Sequence, residues 1–193
     1  NSTKQNNTNS TKQNNTNSTK HITVETDLYK VVLSNEGGGS VVGYELNEKD
    51  ANGVYRYQGT YTRDGNYETD QKVTLIHPVL YEVCAPCLET KSSNIKYNQP
   101  FELLNPPNGD VLKIKGDDKP FPLTYRLDLE NGDFIHKTMI INPNSLSIES
   151  TFNYSLTNTH GQDNVEISWT SGVFPTEPPL VGSSLPYSQD ELN

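Results

Sequence analysis

The sequence predicts an all-β fold arranged as one large, twisted antiparallel sandwich. Three observations carry that expectation. The 193 residues include 13 valines, 9 isoleucines and 11 tyrosines against two alanines. β-branched and aromatic side chains suit a pleated surface, whereas alanine is the best helix former. The C-terminal half holds long runs in which apolar and polar residues alternate. Glycine, asparagine and proline clusters cut these runs at short intervals, as hairpin turns do.

Residues 1–20 stand apart. Asn1-Ser2-Thr3-Lys4-Gln5-Asn6-Asn7-Thr8 is repeated over residues 9–16, and a third copy starts at Asn17. No apolar residue is present to bury, so a disordered polar linker is expected. Asn1, Asn6, Asn9, Asn14 and Asn17 each head an Asn-x-Ser/Thr triplet, which admits a glycosylated stalk as a second reading. The sandwich domain is expected over residues 21–193. Its last twenty residues hold Pro175, Pro178, Pro179 and Pro186 and no closing strand. The expectation is a domain cut short at its C-terminus.

Ile22 to Glu25 and Leu28 to Leu33 read as strands. Gly37-Gly38-Gly39 breaks the pattern, and Val41 to Leu46 resumes it, as in a hairpin. Residues 47–72 are polar, with glycines among Tyr55, Tyr57, Tyr61 and Tyr67, and predict short strands or ordered loops. Between Leu123 and Ile141 the dipeptide Asn131-Gly132 predicts a two-residue type I′ turn. That turn pairs Glu130 with Asp133. It puts Phe134, His136, Thr138 and Ile140 on the apolar face with Leu123, Tyr125, Leu127 and Leu129. Ile135, Lys137 and Met139 fall on the mixed face. Asn142-Pro143-Asn144-Ser145 makes the next turn. Leu146 to Leu156 and Val165 to Thr170 each alternate as a half-buried strand.

Charge and hydropathy exclude some roles. Twenty-four acids against 15 bases give a net charge of −9, so no nucleic-acid partner is expected. The longest aliphatic runs are three residues, far short of the roughly 20 that a membrane helix needs.

Candidate sites are few. Cys84-Ala85-Pro86-Cys87 could be a redox pair, half a zinc site, a disulfide or two ordinary thiols. A redox site needs a strand leading into a helix, and Pro78 and Pro86 argue against one. Zinc needs further ligands, yet His21, His77, His136 and His160 are scattered singly. A disulfide between Cys84 and Cys87 needs a turn, and proline at its third position leaves only a cis-proline or an irregular one. His136 reads as a neutral core histidine. Asp128, Glu130 and Asp133 lack calcium-loop spacing and read as a solvated hairpin tip. Gly37-Gly38-Gly39-Ser40 is not followed by the lysine of a phosphate loop and reads as turn glycines. The tyrosines suit sheet packing, or a peptide or sugar groove. No catalytic residue, cofactor or metal is expected.

The stretch from Ile22 to Leu33, with Gly37-Gly38-Gly39 and Val41 to Leu46, resembles the opening of the large periplasmic domain of YidC-type membrane protein insertases. Phe101-Glu102-Leu103-Leu104, the strand from Leu146 to Leu156, Val165 to Gly172 and Pro175-Thr176-Glu177 resemble further segments of it. The resemblance spans residues 21–190. It implies a mutarotase-like β-supersandwich on the periplasmic side of the bacterial inner membrane. It also implies a non-catalytic domain of a membrane-anchored parent, which assists insertion and folding of membrane proteins. The implied partners are translocon subunits and nascent membrane proteins. The family's insertion chemistry lies in membrane helices, so no site residue carries over. Two other readings stand beside it. One is a carbohydrate-binding or mutarotase-like protein, for which His77 or His136 would need Glu82 or Glu166 close by. The other is a secreted surface adhesin.

Overall fold

A computed structural model describes residues 18–62, 64–76, 84–91, 95–157, 165–170, 173 and 175–178. Within them the fold is all-β. The strands are β1 (His21–Glu25), β2 (Tyr29–Ser34), β3 (Ser40–Leu46), β4 (Gln58–Tyr61), β5 (Tyr67–Lys72), β6 (Thr74–Ile76) and β7 (Cys87–Thr90). There follow β8 (Ile95–Lys96), β9 (Glu102–Leu103), β10 (Val111–Lys113), β11 (Phe121–Asp128), β12 (Phe134–Ile141), β13 (Ile148–Ser155) and β14 (Val165–Ser168).

They form a five-stranded sheet in the order β10-β1-β2-β3-β6 and a four-stranded sheet in the order β13-β12-β11-β9. A three-stranded sheet, β14-β7-β8, and the β4-β5 ribbon complete the set. Pairing is antiparallel except at one edge, where β10 runs parallel to β1 with Thr23 opposite Val111. The expected all-β, antiparallel architecture holds, with one parallel pair at this edge. The long connection between the two strands brings the chain back in the same direction.

One core joins the two larger sheets. Val24, Tyr29, Val31, Leu33, Val41 and Tyr44 from the first pack with Leu123, Tyr125, Leu127, Ile135, Met139 and Ile141 from the second. Tyr29 and Tyr44 stack with ring centroids 5.1 Å apart. Their hydroxyls donate to the Asn142 and Leu146 carbonyls at 3.3 and 2.6 Å, tying the first sheet to the β12–β13 connection.

The β11–β12 hairpin departs from the expected turn. Glu130 to Gly132 form one turn of 3₁₀ helix, with Gly132 at φ +81°. Asp128 then pairs with Phe134 and Arg126 with His136. This is one residue away from the expected register, and such a slip sends every β12 side chain to the opposite face. Ile135, Lys137, Met139 and Ile141 point into the core, while His136 lies on the other face. The Asn-Gly signal marks the bend correctly but not its length, because glycine can serve the left-handed position of a longer loop equally well.

Residues 1–17 of the polar repeat lie outside the described residues. Its final three hydrogen-bond to the β2–β3 turn. Asn35 Nδ2 donates to the Ser18 carbonyl at 3.2 Å, and the Lys20 amide donates to Asn35 Oδ1 at 2.7 Å.

Candidate functional site

The three glycines between β2 and β3 enter the core. All three have positive φ, at +59°, +70° and +85°. A Cβ on Gly37 would collide with Cys87 Sγ, one on Gly38 would lie 2.8 Å from Phe101, and one on Gly39 would lie 2.6 Å from the Tyr125 ring. The backbone here approaches its neighbours more closely than any side chain permits.

Against this turn lies the Cys84–Cys87 loop. The two cysteines form a disulfide, their Cα atoms 5.1 Å apart, and the Ala85–Pro86 peptide is cis. The Val41 amide donates to the Ala85 carbonyl at 2.7 Å. On the far side, the Thr170 amide and hydroxyl both donate to the Cys84 carbonyl, and the Cys84 amide donates to Thr170 Oγ1 at 3.0 Å. The loop thus fastens β3 to the segment after β14. Replacing both cysteines by serine is expected to cost about 2 kcal/mol or more, the loop-closure value for so small a ring. Urea denaturation of the variant beside the oxidised wild type measures it.

Beneath the loop sits Lys137, 0% exposed. Its Nζ donates to the Pro86 carbonyl at 2.6 Å and the Gly37 carbonyl at 3.2 Å, and stands 5.3 Å from the Phe152 ring centre. These acceptors are neutral, so desolvation dominates and pushes the amine down to about 7. Sequence reasoning placed Lys137 on a wetter face because of the hairpin register. The available signal was the set Ile135, Met139 and Ile141, which flanks it with period two.

Next to Lys137 on the same face, Met139 floors an apolar groove of about 340 Å³. Val41 and Tyr44 of β3, Ile148 and Ser150 of β13, Pro86 of the disulfide loop and Trp169 line it. Trp169 is 50% exposed, and Leu146 and Val173, which also line the groove, are exposed too. Ser150 Oγ is buried there with no hydrogen-bond partner. The groove therefore offers an apolar wall and a half-covered indole.

The other expected site residues do not converge. His136 packs on the Phe134 ring at 4.8 Å, and its Nε2 is buried without a partner. It lies opposite Arg126 and Asn153 rather than beside a carboxylate. Glu166 pairs with Lys91 at 2.9 Å on the surface. His77, Glu82 and His160 lie outside the described residues. Of the hairpin acids, Asp128 pairs with Arg126 at 2.7 Å. Buried Asp133 accepts from the Thr157 amide and from the hydroxyls of Ser155 and Thr157. Among the described residues, no group of three or more His, Cys, Asp and Glu side chains is placed to hold a metal ion.

No protein-family model matches the sequence, and no curated protein matches it either.

Proposed function

We propose that the chain is a non-catalytic binding domain, the periplasmic β-supersandwich of a YidC-type insertase. In that role it assists insertion and folding of inner-membrane proteins by contacting translocon subunits or clients. The observation that carries the proposal is the apolar groove under Trp169. Exposed apolar surface lining a groove is what a monomeric domain keeps for a partner. An apolar stretch of a nascent membrane protein supplies side chains for the groove. The resemblance over residues 21–190 agrees with this reading.

Trp169 is the single tryptophan of the chain, so its emission reports on the groove. A soluble peptide carrying a Leu/Val-rich segment is expected to shift that emission to the blue as the indole loses water. Trp169→Ala is expected to weaken the labelled peptide about tenfold in fluorescence anisotropy, the loss typical of an interface aromatic. If apolar peptides leave the emission unmoved while oligosaccharides shift it, the carbohydrate-binding reading replaces this one.

A further inference from the structure

The groove under Trp169 opens between two sheet edges. Leu75 and Ile76 of β6, an edge strand of the five-stranded sheet, line one side. Ile148 of β13, an edge strand of the four-stranded sheet, lines the other. β13 is eight residues long, and no other edge strand among the described residues exceeds six. It pairs with β12 one for one, from Phe134 opposite Ser155 to Ile141 opposite Ile148, without a bulge. Among the described residues no second strand pairs with it. An edge of this kind presents a row of unpaired backbone N–H and C=O groups, which sequences normally blunt with lysine, proline or a bulge. β13 holds none of these.

The two faces of β13 are unlike. Ile148 and Ser150 lie opposite Ile141 and Met139, on the side of the groove. Glu149, Thr151 and Asn153 are exposed on the other side. A strand laid beside β13 alternates in the same way, so every second side chain enters the groove and those between stay in water. Glu149 has no ion-pair partner among the described residues. A basic residue on the wet side of the added strand therefore meets an uncompensated carboxylate. A second copy of this chain fits the edge less well. It brings a further net charge of −9, and like charge opposes close approach.

We propose that β13 is a strand-addition site. An extended client segment, its apolar side chains alternating with basic or polar ones, joins the sheet as a fifth strand and lays the apolar side chains in the groove. Main-chain hydrogen bonds to β13 then supply affinity that does not depend on sequence, and the groove selects for apolar residues at alternate positions. A helical segment satisfies its own backbone groups and leaves those of β13 unpaired. The inference rests on the reading that the groove receives an apolar polypeptide, and adds the conformation in which the segment is held.

The test uses the full ¹⁵N-labelled chain and a synthetic eight-residue peptide in which Val and Leu alternate with Lys and Thr. In the free chain, hydrogen exchange should find every second β13 amide unprotected, namely those that point away from β12. The peptide should protect these amides as the Trp169 emission moves to the blue. Two further peptides carry N-methyl groups on the odd or on the even amides. Only one set faces β13, so one of them should bind about tenfold more weakly and the other should keep most of its affinity. At low salt the chain should prefer Lys to Glu at the polar positions about threefold, and Glu149→Lys, an exposed change, should reduce that preference. A preference untouched by Glu149→Lys would overturn the match to Glu149. Equal binding by the two methylated peptides, or a Trp169 shift without new protection along β13, would overturn strand addition and leave the groove reading standing. A Trp169 emission unmoved by every peptide would overturn both. A free chain that sediments as a dimer with those amides already protected would assign the edge to a second copy and overturn the proposal.

Discussion

Gly39→Ala is expected to destabilise the domain by about 2–5 kcal/mol, a large part of the stability of a marginally stable chain. Two costs add. A residue with a Cβ at φ +85° sits in the left-handed region, at about 1–2 kcal/mol. The new methyl also lands 2.6 Å from Tyr125 Cε2 and 2.9 Å from Met139 Cγ, and overpacking of this kind costs about 1–3 kcal/mol. Gly53 is the control. It has nearly the same φ, +81°, but nothing within 4 Å of its would-be Cβ. Gly53→Ala should therefore lose only the backbone cost. Urea midpoints of the two variants separate the terms. Equal losses would mean that the β2–β3 turn is less tightly enclosed than the structure has it.

Stability is also expected to climb between about pH 7 and pH 9, by up to about 1.4 kcal/mol per pH unit. The cause is Lys137. In the folded chain its amine is pushed down from 10.5 to about 7. In this window the unfolded chain holds the proton and the folded chain has released it. The unfolded state therefore binds more protons, and raising the pH favours folding. Below pH 7 both states are protonated and the slope from this group vanishes. Above pH 10 the buried phenols reverse the trend. Burial raises Tyr29 to about 12 and pushes Tyr44 and Tyr125 up further, so the unfolded chain loses their protons first. A stability maximum near pH 9–10 follows. Lys137→Met keeps most of the volume and removes the titration, so it should flatten the rise from pH 7 to 9. Urea denaturation at unit pH steps measures both. A wild-type chain already flat over that range would show that the amine stays charged when folded.

The strand framework was legible from the sequence because it is written locally. Alternation found β1 to β3 and β11 to β14, and the glycines found the β2–β3 turn. Contacts between distant segments were not legible. Gly37, Gly38 and Gly39 read as ordinary turn residues, since nothing nearby in sequence names Cys87, Phe101 or Tyr125 as their neighbours. Lys137 was misplaced by a single residue of register. Both faces of β12 carry a polar residue among apolar ones, so composition could not choose between a two-residue turn and a longer one. Cys84 and Cys87 read as a redox pair, half a zinc site, a disulfide or two ordinary thiols, and a cis-proline was one of the ways a disulfide loop could close. That the loop walls a groove depends on Thr170 and Trp169, more than eighty residues away.

The pairing of β7 with β14 carries a consequence for how the chain is made. Cys87 lies opposite Ser168 and Thr90 opposite Val165. The third sheet cannot close until β14, far along the chain from β7, has been synthesised. Contacts so distant along the chain are slow to form, because loop-closure entropy is lost before they contribute. During that interval β7 presents an unpaired edge, and the groove lacks its Trp169 wall. A nascent copy of this domain thus carries an exposed, sticky edge. Pairing with β14 covers that aggregation-prone edge and brings Trp169 to the wall of the groove.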